Sequence, residues 1–232
     1  PVIGADGAAF FRNMLTDNLE GEYDALLVAP KGLKPSLCDL IQAEIDKGSD
    51  GYICIKANSV TERDIIDKLQ EASQAGVQVE MIIRGICCIR PGVLLKTEHI
   101  QVTSIVGRYL EHARIYVFGK GDQVKYFIAS ADLMTRNLQR RVEIACPIWD
   151  EEIQSQLRTI LDTQLHDNAK ASFLQPSGAY LRKEAAEGQP RLDCQEAFMK
   201  TSLHHPEPPA TAQKAQGRPS FFQRLRSLFR GN

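Results

Sequence analysis

Arginines concentrate between residues 84 and 141, where a histidine, a serine and an aspartate accompany them. This window holds ten cationic and four acidic side chains, a net charge of +6, whereas the whole chain carries −1. Its arginines are Arg84, Arg90, Arg108, Arg114, Arg136, Arg140 and Arg141. Guanidinium groups bind oxyanions through paired hydrogen bonds. The window therefore predicts a site for a polyanionic ligand; a merely solvated basic face is the alternative.

His112 and Arg114 lie two residues apart at the start of one predicted strand, and Ser130 and Asp132 follow the next strand. An imidazole exchanges protons near neutral pH, and a neighbouring cation can hold a phosphate. These residue types favour phosphoryl chemistry. The spacing alone also allows a hydrogen-bonded histidine with a structural role.

Apolar runs alternate with amphipathic segments over the first 83 residues. The predicted strands are 23–29, 51–57 and 77–83, and the helices between them are 35–45 and a segment that begins at residue 61. This order predicts the α/β class, with a mixed, largely parallel sheet flanked by helices. Arg84 directly follows the third strand, at the end of the sheet where ligands collect.

The second half of the domain continues as short regular segments. The predicted strands are 100–106, 115–118, 125–130, 142–148, 171–174 and 180–181, and the predicted helices are 150–166 and 193–203. Residues 119–122 (Gly-Lys-Gly-Asp) predict a hairpin turn between two of these strands. These elements must position His112, Ser130 and Asp132.

Composition divides the chain after residue 203. Residues 1–203 read as one domain, and residues 204–219, rich in Pro, Ala, Gln and Gly, predict a disordered linker. Residues 220–232 place apolar side chains on one helical stripe with arginines elsewhere. This pattern indicates a basic amphipathic tail that contacts an acidic membrane or a partner groove, with a frayed terminus as the alternative.

The chain carries no sign of insertion into a membrane or of secretion. No apolar run approaches the roughly 18 residues of a span, and no signal peptide opens the chain. We therefore expect a cytoplasmic protein, with membrane association through the tail.

The six cysteines form no C-x-x-C pair, which predicts reduced, mostly buried thiols and no metal ligands. The first residue is Pro1 rather than Met, so we expect a piece of a longer protein.

Four segments resemble the C-terminal catalytic domain of the polyphosphate kinase family. They are 55–59 (Ile-Lys-Ala-Asn-Ser), 84–92 (Arg-Gly-Ile-Cys-Cys-Ile-Arg-Pro-Gly), 104–112 (Ser-Ile-Val-Gly-Arg-Tyr-Leu-Glu-His) and 130–138 (Ser-Ala-Asp-Leu-Met-Thr-Arg-Asn-Leu). They occur in the order of the family, and the resemblance covers roughly residues 1 to 203. It implies a phospholipase-D-like domain, the second of two in enzymes that make polyphosphate from ATP.

The resemblance also implies roles for residues of the arginine-rich window. His112 would be catalytic. The ATP- or phosphate-binding residues would be Arg84, His112, Arg114, Ser130, Asp132 and Arg136. The histidine that becomes phosphorylated and most ligands of Mg²⁺ would lie in an upstream domain of the same protein. The implied partners are ATP or ADP, polyphosphate, that upstream domain and further copies in a homo-oligomer, with no nucleic acid. By itself the chain would be inactive.

The chain departs from the related patterns at several positions. Arg114 and Gly119 stand where the phospholipase D pattern has Lys and Asp, and residues 129–132 (Ala-Ser-Ala-Asp) stand where it has Gly-Ser-x-Asn. These changes disfavour phosphodiesterase activity. Leu133 stands where the kinases usually have Trp. Two rival functions stay open: a phosphodiesterase formed by two paired copies, with His112 as nucleophile in one and acid in the other, and a non-catalytic module that binds polyphosphate or nucleotide.

Overall fold

The structure is a computed structural model that describes residues 2–18 and 21–203. Within these ranges the helices are α1 (Val2–Leu15), α2 (Leu33–Ile45), α3 (Arg63–Gln74), α4 (Thr135–Gln139), α5 (Glu151–Leu165) and α6 (Cys194–Leu203). The chain divides into two compact units at Ala197, inside α6, and the sheet belongs to the first unit. No helix of the described ranges has the length and apolar character needed to cross a membrane.

Nine strands of the described residues form one sheet. They are β1 (Leu27–Val28), β2 (Tyr52–Ala57), β3 (Gln78–Ile83), β4 (Ile100–Ile105), β5 (Ile115–Phe118), β6 (Lys125–Ala129), β7 (Ile144–Ile148), β8 (Ala171–Leu174) and β9 (Tyr180–Arg182). Their order across the sheet is β1-β7-β6-β5-β2-β3-β4-β8-β9. The α/β class and the mixed sheet flanked by helices are confirmed.

The prediction of a largely parallel sheet is wrong. Only β2 with β3 and β3 with β4 pair in parallel, and the other neighbours in the sheet are antiparallel. The hairpin between β5 and β6 forces one reversal, and β5 itself runs against β2. The first crossover does not join neighbouring strands, because β5, β6 and β7 lie between β1 and β2. Hairpins and short returns therefore dominate outside the three central strands.

The core lies between one face of the sheet and helices α2 and α3. Ile53 and Ile55 of β2 belong to the same buried cluster as Leu37 and Ile41 of α2 and Leu69 of α3. Successive side chains of a strand point to opposite faces. The alternate residues of β2 therefore point to the other face, where Arg158 of α5 donates to the hydroxyl of Tyr52 at 3.0 Å.

Every residue of β2 is buried, including one charged side chain. Apolar side chains on both faces are typical of a strand covered by helices on each side. Lys56 interrupts that pattern with a side chain that is only 2% exposed. Its ammonium group needs a partner inside the protein, because an unpaired buried charge is strongly unfavourable.

The predicted linker (204–219) and tail (220–232) lie outside the described residues, and the domain boundary at 203 stays a prediction. We expect deletion of 204–232 to move the melting temperature by less than about 5 °C, because a linker of this composition separates the tail from the domain. Differential scanning calorimetry measures this, with Leu161→Ala, which empties a fully buried position of α5, as a variant that must shift. A larger drop on deletion would mean that the tail packs on the domain.

Candidate functional site

The predicted site residues meet at one edge of the sheet, which is formed by the C-terminal ends of β2, β3 and β6 and by the start of β5. Asn58 follows β2, and Arg84 follows β3. Because β5 runs antiparallel to β2, its first residues lie at the edge where β2 ends, and His112 and Arg114 precede β5. Strand β6 runs antiparallel to β5 and ends at this same edge, just before Asp132. The reversal of β5 thus joins the segments 84–92 and 130–138 to His112.

Arg84 is half-buried and held through one nitrogen. Its Nε donates to the side-chain Oδ1 of Asn58 at 2.7 Å and to the backbone carbonyl of Glu111 at 3.0 Å. Within the described residues these bonds both use Nε, which leaves the two terminal amino groups of the guanidinium for a ligand. Gly85 allows this placement, because a Cβ there would lie 2.8 Å from the carbonyl oxygen of Asn58. The orientation of the guanidinium is therefore fixed by the protein itself, without a ligand.

Asp132 is buried and holds Arg114 and Asn58 together. Its Oδ1 accepts from Nε of Arg114 at 3.1 Å and its Oδ2 from Nη2 of Arg114 at 3.1 Å. Oδ1 also accepts from the backbone N–H of Asn58 at 2.7 Å and from its side-chain amide at 2.9 Å. Burial raises the pKa of Asp132, but the hydrogen bonds from Arg114 and Asn58 outweigh burial and lower it below 3.8. The carboxylate is ionised at neutral pH.

His112 is exposed at this edge, beside the guanidinium of Arg114. Nη1 and Nη2 of Arg114 lie 3.4 Å from the two ring nitrogens, Nδ1 and Nε2 respectively. Nη1 also donates to the backbone carbonyl of His112 at 3.2 Å. Since Asp132 fixes Arg114, the imidazole rests on a cation whose position is set by the sheet. An anion at the edge would meet His112 with this positive charge behind it.

Ser130 is exposed and Asp132 is buried, and both side chains already bond to other groups of the protein. The hydroxyl of Ser130 donates to the carboxylate of Glu143 and accepts from the backbone N–H of Ile144 at 3.0 Å. A carboxylate such as Asp132 repels phosphate, and here it orients Arg114. The predicted contacts of these two residues with phosphate stay predictions. Arg136 is exposed on α4, and its predicted contact with phosphate stays a prediction.

The carboxylates at this edge do not fit a magnesium site. Asp132 is paired with Arg114, and Glu111 is paired with Lys56 at 2.9 Å. No group of three His, Cys, Asp or Glu side chains that could hold a metal occurs in the described part of the chain. Magnesium prefers oxygen ligands with several waters in octahedral geometry. The prediction that its ligands lie mainly upstream stays a prediction.

The thiols only partly follow the expectation of burial. All six cysteines are free. Cys54 and Cys194 are buried, Cys88 is exposed, and Cys38, Cys87 and Cys146 lie between these extremes. Burial raises the pKa of Cys54 to about 12, so this thiol stays protonated and inert.

Several residues that complete the edge were not identified from the sequence. Asn58 links Arg84 to Asp132, and Glu111 carries the carbonyl that holds Arg84. Both lie inside segments quoted above, but their residue types do not suggest a role. Lys56 offered a signal, since a lysine in an otherwise apolar strand requires a buried partner. Gln164 and Gln195 contact Glu111 from helices far along the chain and offered no signal.

Comparison with known proteins identifies relatives of most of the domain. The model of the family "Polyphosphate kinase C-terminal domain 2" matches residues 26–195. A polyphosphate kinase of Bacillus cereus is 44% identical over 180 residues, which are 76% of this chain and 26% of that protein. The chain thus spans about a quarter of the length of this curated relative.

Two solved structures resemble the domain. The crystal structure of polyphosphate kinase from Porphyromonas gingivalis matches with a TM-score of 0.81 and 34% identity, over 87% of this chain and 31% of that one. Nuc from Salmonella typhimurium, described as a phospholipase D family member, matches with a TM-score of 0.46 and 18% identity, over 68% of this chain and 96% of that one. The second likeness is too weak to bear on activity.

Proposed function

This chain belongs to the polyphosphate kinase family, and we propose that it supplies the second half of an active site that transfers the γ-phosphate of ATP to polyphosphate. An upstream domain of the same protein would carry the histidine that becomes phosphorylated. One observation carries the proposal: Nε of Arg84 donates at 3.0 Å to the carbonyl of Glu111, the residue next to His112. The side chain of Arg84 is thus bonded to the main chain directly beside His112.

Arg84 would clamp the β- and γ-phosphates of ATP. Its Nε is held by Asn58 and Glu111, so the terminal amino groups can form a bidentate contact with phosphate oxygens. Phosphoryl transfer requires mainly positioning and neutralisation of charge from the protein. A cation fixed before ATP binds meets both requirements without reorganisation.

His112 would donate a hydrogen bond or a proton to the group being transferred. In the first step the bond between the γ-phosphorus and the bridging oxygen of ATP breaks, and a bond from phosphorus to the upstream histidine nitrogen forms. In the second step that P–N bond breaks and the phosphoryl group bonds to a terminal oxygen of polyphosphate. Arg114 would support both steps by placing a positive charge behind the imidazole.

The remaining expectations belong to the same proposal. Mg²⁺ would be held mainly by the upstream domain, and Arg136 would contact phosphate. The complete protein would be a cytoplasmic homo-oligomer with its C-terminal tail on a membrane, and it would act on ATP, ADP and polyphosphate without nucleic acid.

The rival phosphodiesterase, built from two copies, requires His112 as a nucleophile. An activated nucleophilic side chain normally has a base or an orienting group beside it. Within the described residues, the ring nitrogens of His112 lie next to the guanidinium of Arg114, and Asp132 is occupied by Arg114 and Asn58. This arrangement suits an electrophilic role better than a nucleophilic one.

Labelling with ATP tests the proposal against this rival. Residues 1–232 incubated with Mg²⁺ and γ-labelled ATP should form no stable phosphohistidine, because the phosphate-accepting histidine would lie upstream. The full-length protein treated identically should become labelled, and it serves as the positive control. Acid-labile label on His112 of the isolated chain, abolished by His112→Ala, would contradict the proposal and support the paired-copy phosphodiesterase.

A further inference from the structure

The carboxylate of Glu111 is held by side chains from three different elements. Nζ of Lys56, on β2, lies 2.9 Å from Oε2, and Nε2 of Gln164, on α5, donates to the same oxygen at 2.6 Å. Nε2 of Gln195, on α6, donates to Oε1 at 2.8 Å. Burial raises the pKa of Glu111, but the bonds from Gln195, Lys56 and Gln164 outweigh it and lower the pKa below 4.5. At neutral pH this carboxylate is therefore charged and fixed.

The main chain of Glu111 adjoins both residues assigned to the ATP phosphates. Its carbonyl accepts from Nε of Arg84 at 3.0 Å, and the next residue is His112. A displacement of this one residue would change the aim of the guanidinium and the position of the imidazole together.

Gln195 also holds the backbone that leads into the site. Its side-chain amide pairs with both backbone groups of Tyr109: the N–H of Tyr109 donates to Oε1 at 3.0 Å, and Nε2 donates to the carbonyl at 2.8 Å. Gly107 packs against the same amide, since a Cβ there would lie 2.5 Å from Oε1 of Gln195. The residue before Gln195 is anchored too, because the backbone N–H of Cys194 donates to the fully buried Asp167 at 2.8 Å. The backbone segment that leads to His112 is thus held by Gln195, a residue more than 80 positions away in the chain.

Stability alone explains this arrangement poorly. Lys56 is 2% exposed and Glu111 is 13% exposed, and a buried ion pair contributes little or nothing compared with well-packed apolar residues. A charged, directional contact does set the position of a backbone segment. We propose that Glu111, held by Lys56 and Gln195, is a positioning residue that places Arg84 and His112 correctly relative to each other for contact with the ATP phosphates. The inference rests on the proposed function.

Two single variants of the full-length protein weaken this arrangement in different ways. Glu111→Gln keeps the size of the side chain and removes the charge that balances Lys56. Gln195→Leu removes the amide contacts to Tyr109 and Glu111 and leaves the ion pair intact, so it keeps the test informative if the first variant does not fold. We expect each to lower kcat/KM for ATP about 10- to 100-fold, because misplacement of a catalytic group by about 1 Å has effects of this size.

A double-mutant cycle with Arg84→Ala separates positioning from a general structural role. If Gln195 and Glu111 act partly through Arg84, the loss caused by Gln195→Leu should shrink from about 10-fold to about threefold in the Arg84→Ala background, where only the part that acts through His112 remains. A purely structural contact would cause the same fold-loss in both backgrounds, and that result would overturn the inference. The matched control is Gln154→Leu. This variant removes the 2.7 Å hydrogen bond that the side-chain amide of Gln154 donates to the carbonyl of Ile148, and it should leave kcat/KM unchanged.

The same measurements distinguish failure of the inference from failure of the proposed function. Near-normal synthesis in Arg84→Ala would contradict the proposed function and remove the premise of the cycle, which also overturns the inference. Low synthesis in Arg84→Ala with normal synthesis in Glu111→Gln and Gln195→Leu would overturn the inference alone. Nucleotide affinity, measured by calorimetric titration of ADP, should weaken in Gln195→Leu but not in Gln154→Leu.

Discussion

Replacement of Arg84 by alanine is expected to lower ATP-dependent polyphosphate synthesis by about 30- to 1000-fold in the full-length enzyme. The variant loses a bidentate, charged contact to phosphates that gain charge during transfer, which corresponds to about 2–4 kcal/mol in the barrier. Arg84→Lys should recover only part of the rate, because an ammonium group keeps the charge but loses the planar fork. The measurement is kcat/KM for ATP, with thermal melting of each variant.

Stability must be followed in this experiment, because Arg84 also contacts the protein. The alanine variant leaves the buried Oδ1 of Asn58 without its donor, and we expect a cost of about 1–2 kcal/mol in the free energy of unfolding. Arg63→Ala is the matched control, since that side chain is 90% exposed on α3 and should affect neither rate nor melting. Near-normal synthesis in Arg84→Ala, or a loss of rate fully explained by unfolding, would return Arg84 to a structural role.

His112→Ala should reduce synthesis at least as much as Arg84→Ala. The imidazole is exposed, so its removal leaves no cavity in the core and the melting temperature should barely change. Loss of rate with unchanged melting is the pattern expected of a group that acts on the substrate.

The largest effect on stability is expected for Asp132→Ala. The substitution leaves the guanidinium of Arg114, 13% exposed, without its carboxylate and removes the acceptor of two bonds from Asn58. Removal of one partner of a largely buried ion pair is strongly unfavourable, and we expect about 3 kcal/mol of lost stability, or roughly 6–12 °C in melting temperature. Denaturant unfolding monitored by circular dichroism measures this. A change below about 1 kcal/mol would show that Arg114 finds solvent or another partner without cost.

Asp132→Asn keeps the shape and removes the charge, and it makes the effect dependent on pH. Because the folded-state pKa of Asp132 lies below 3.8, ionised Asp132 contributes stability above that value. The contribution is lost as the pH falls through the folded-state pKa. The stability difference between wild type and Asp132→Asn should therefore be full at pH 7 and should diminish below about pH 3.8. A difference that stays constant down to pH 2 would contradict this assignment.

The individual strands and helices were largely predictable from local patterns. The predicted segments 51–57 and 77–83 became β2 and β3, and the segment 150–166 became α5. In these segments the spacing of apolar residues reflects burial directly. The pairing of the strands could not be predicted from local sequence patterns, because several paired strands, such as β1 and β7, lie far apart in the chain. The two residues of β1 form the outermost strand and pair with β7. The large fraction of antiparallel neighbours follows from that pairing and from the hairpin between β5 and β6.

By itself the sequence determined the family and the α/β class, and it predicted Arg84 and His112 as the residues that contact phosphate. These properties depend on residue type and on order along the chain, which the printed letters carry. The tertiary structure alone decided which groups stay free for a ligand. Asp132 became the counter-ion of Arg114, and Ser130 became a partner of Glu143. The physical reason is that hydrogen bonds and ion pairs form between side chains brought together by folding, such as Glu111 and Gln195, which lie 84 residues apart.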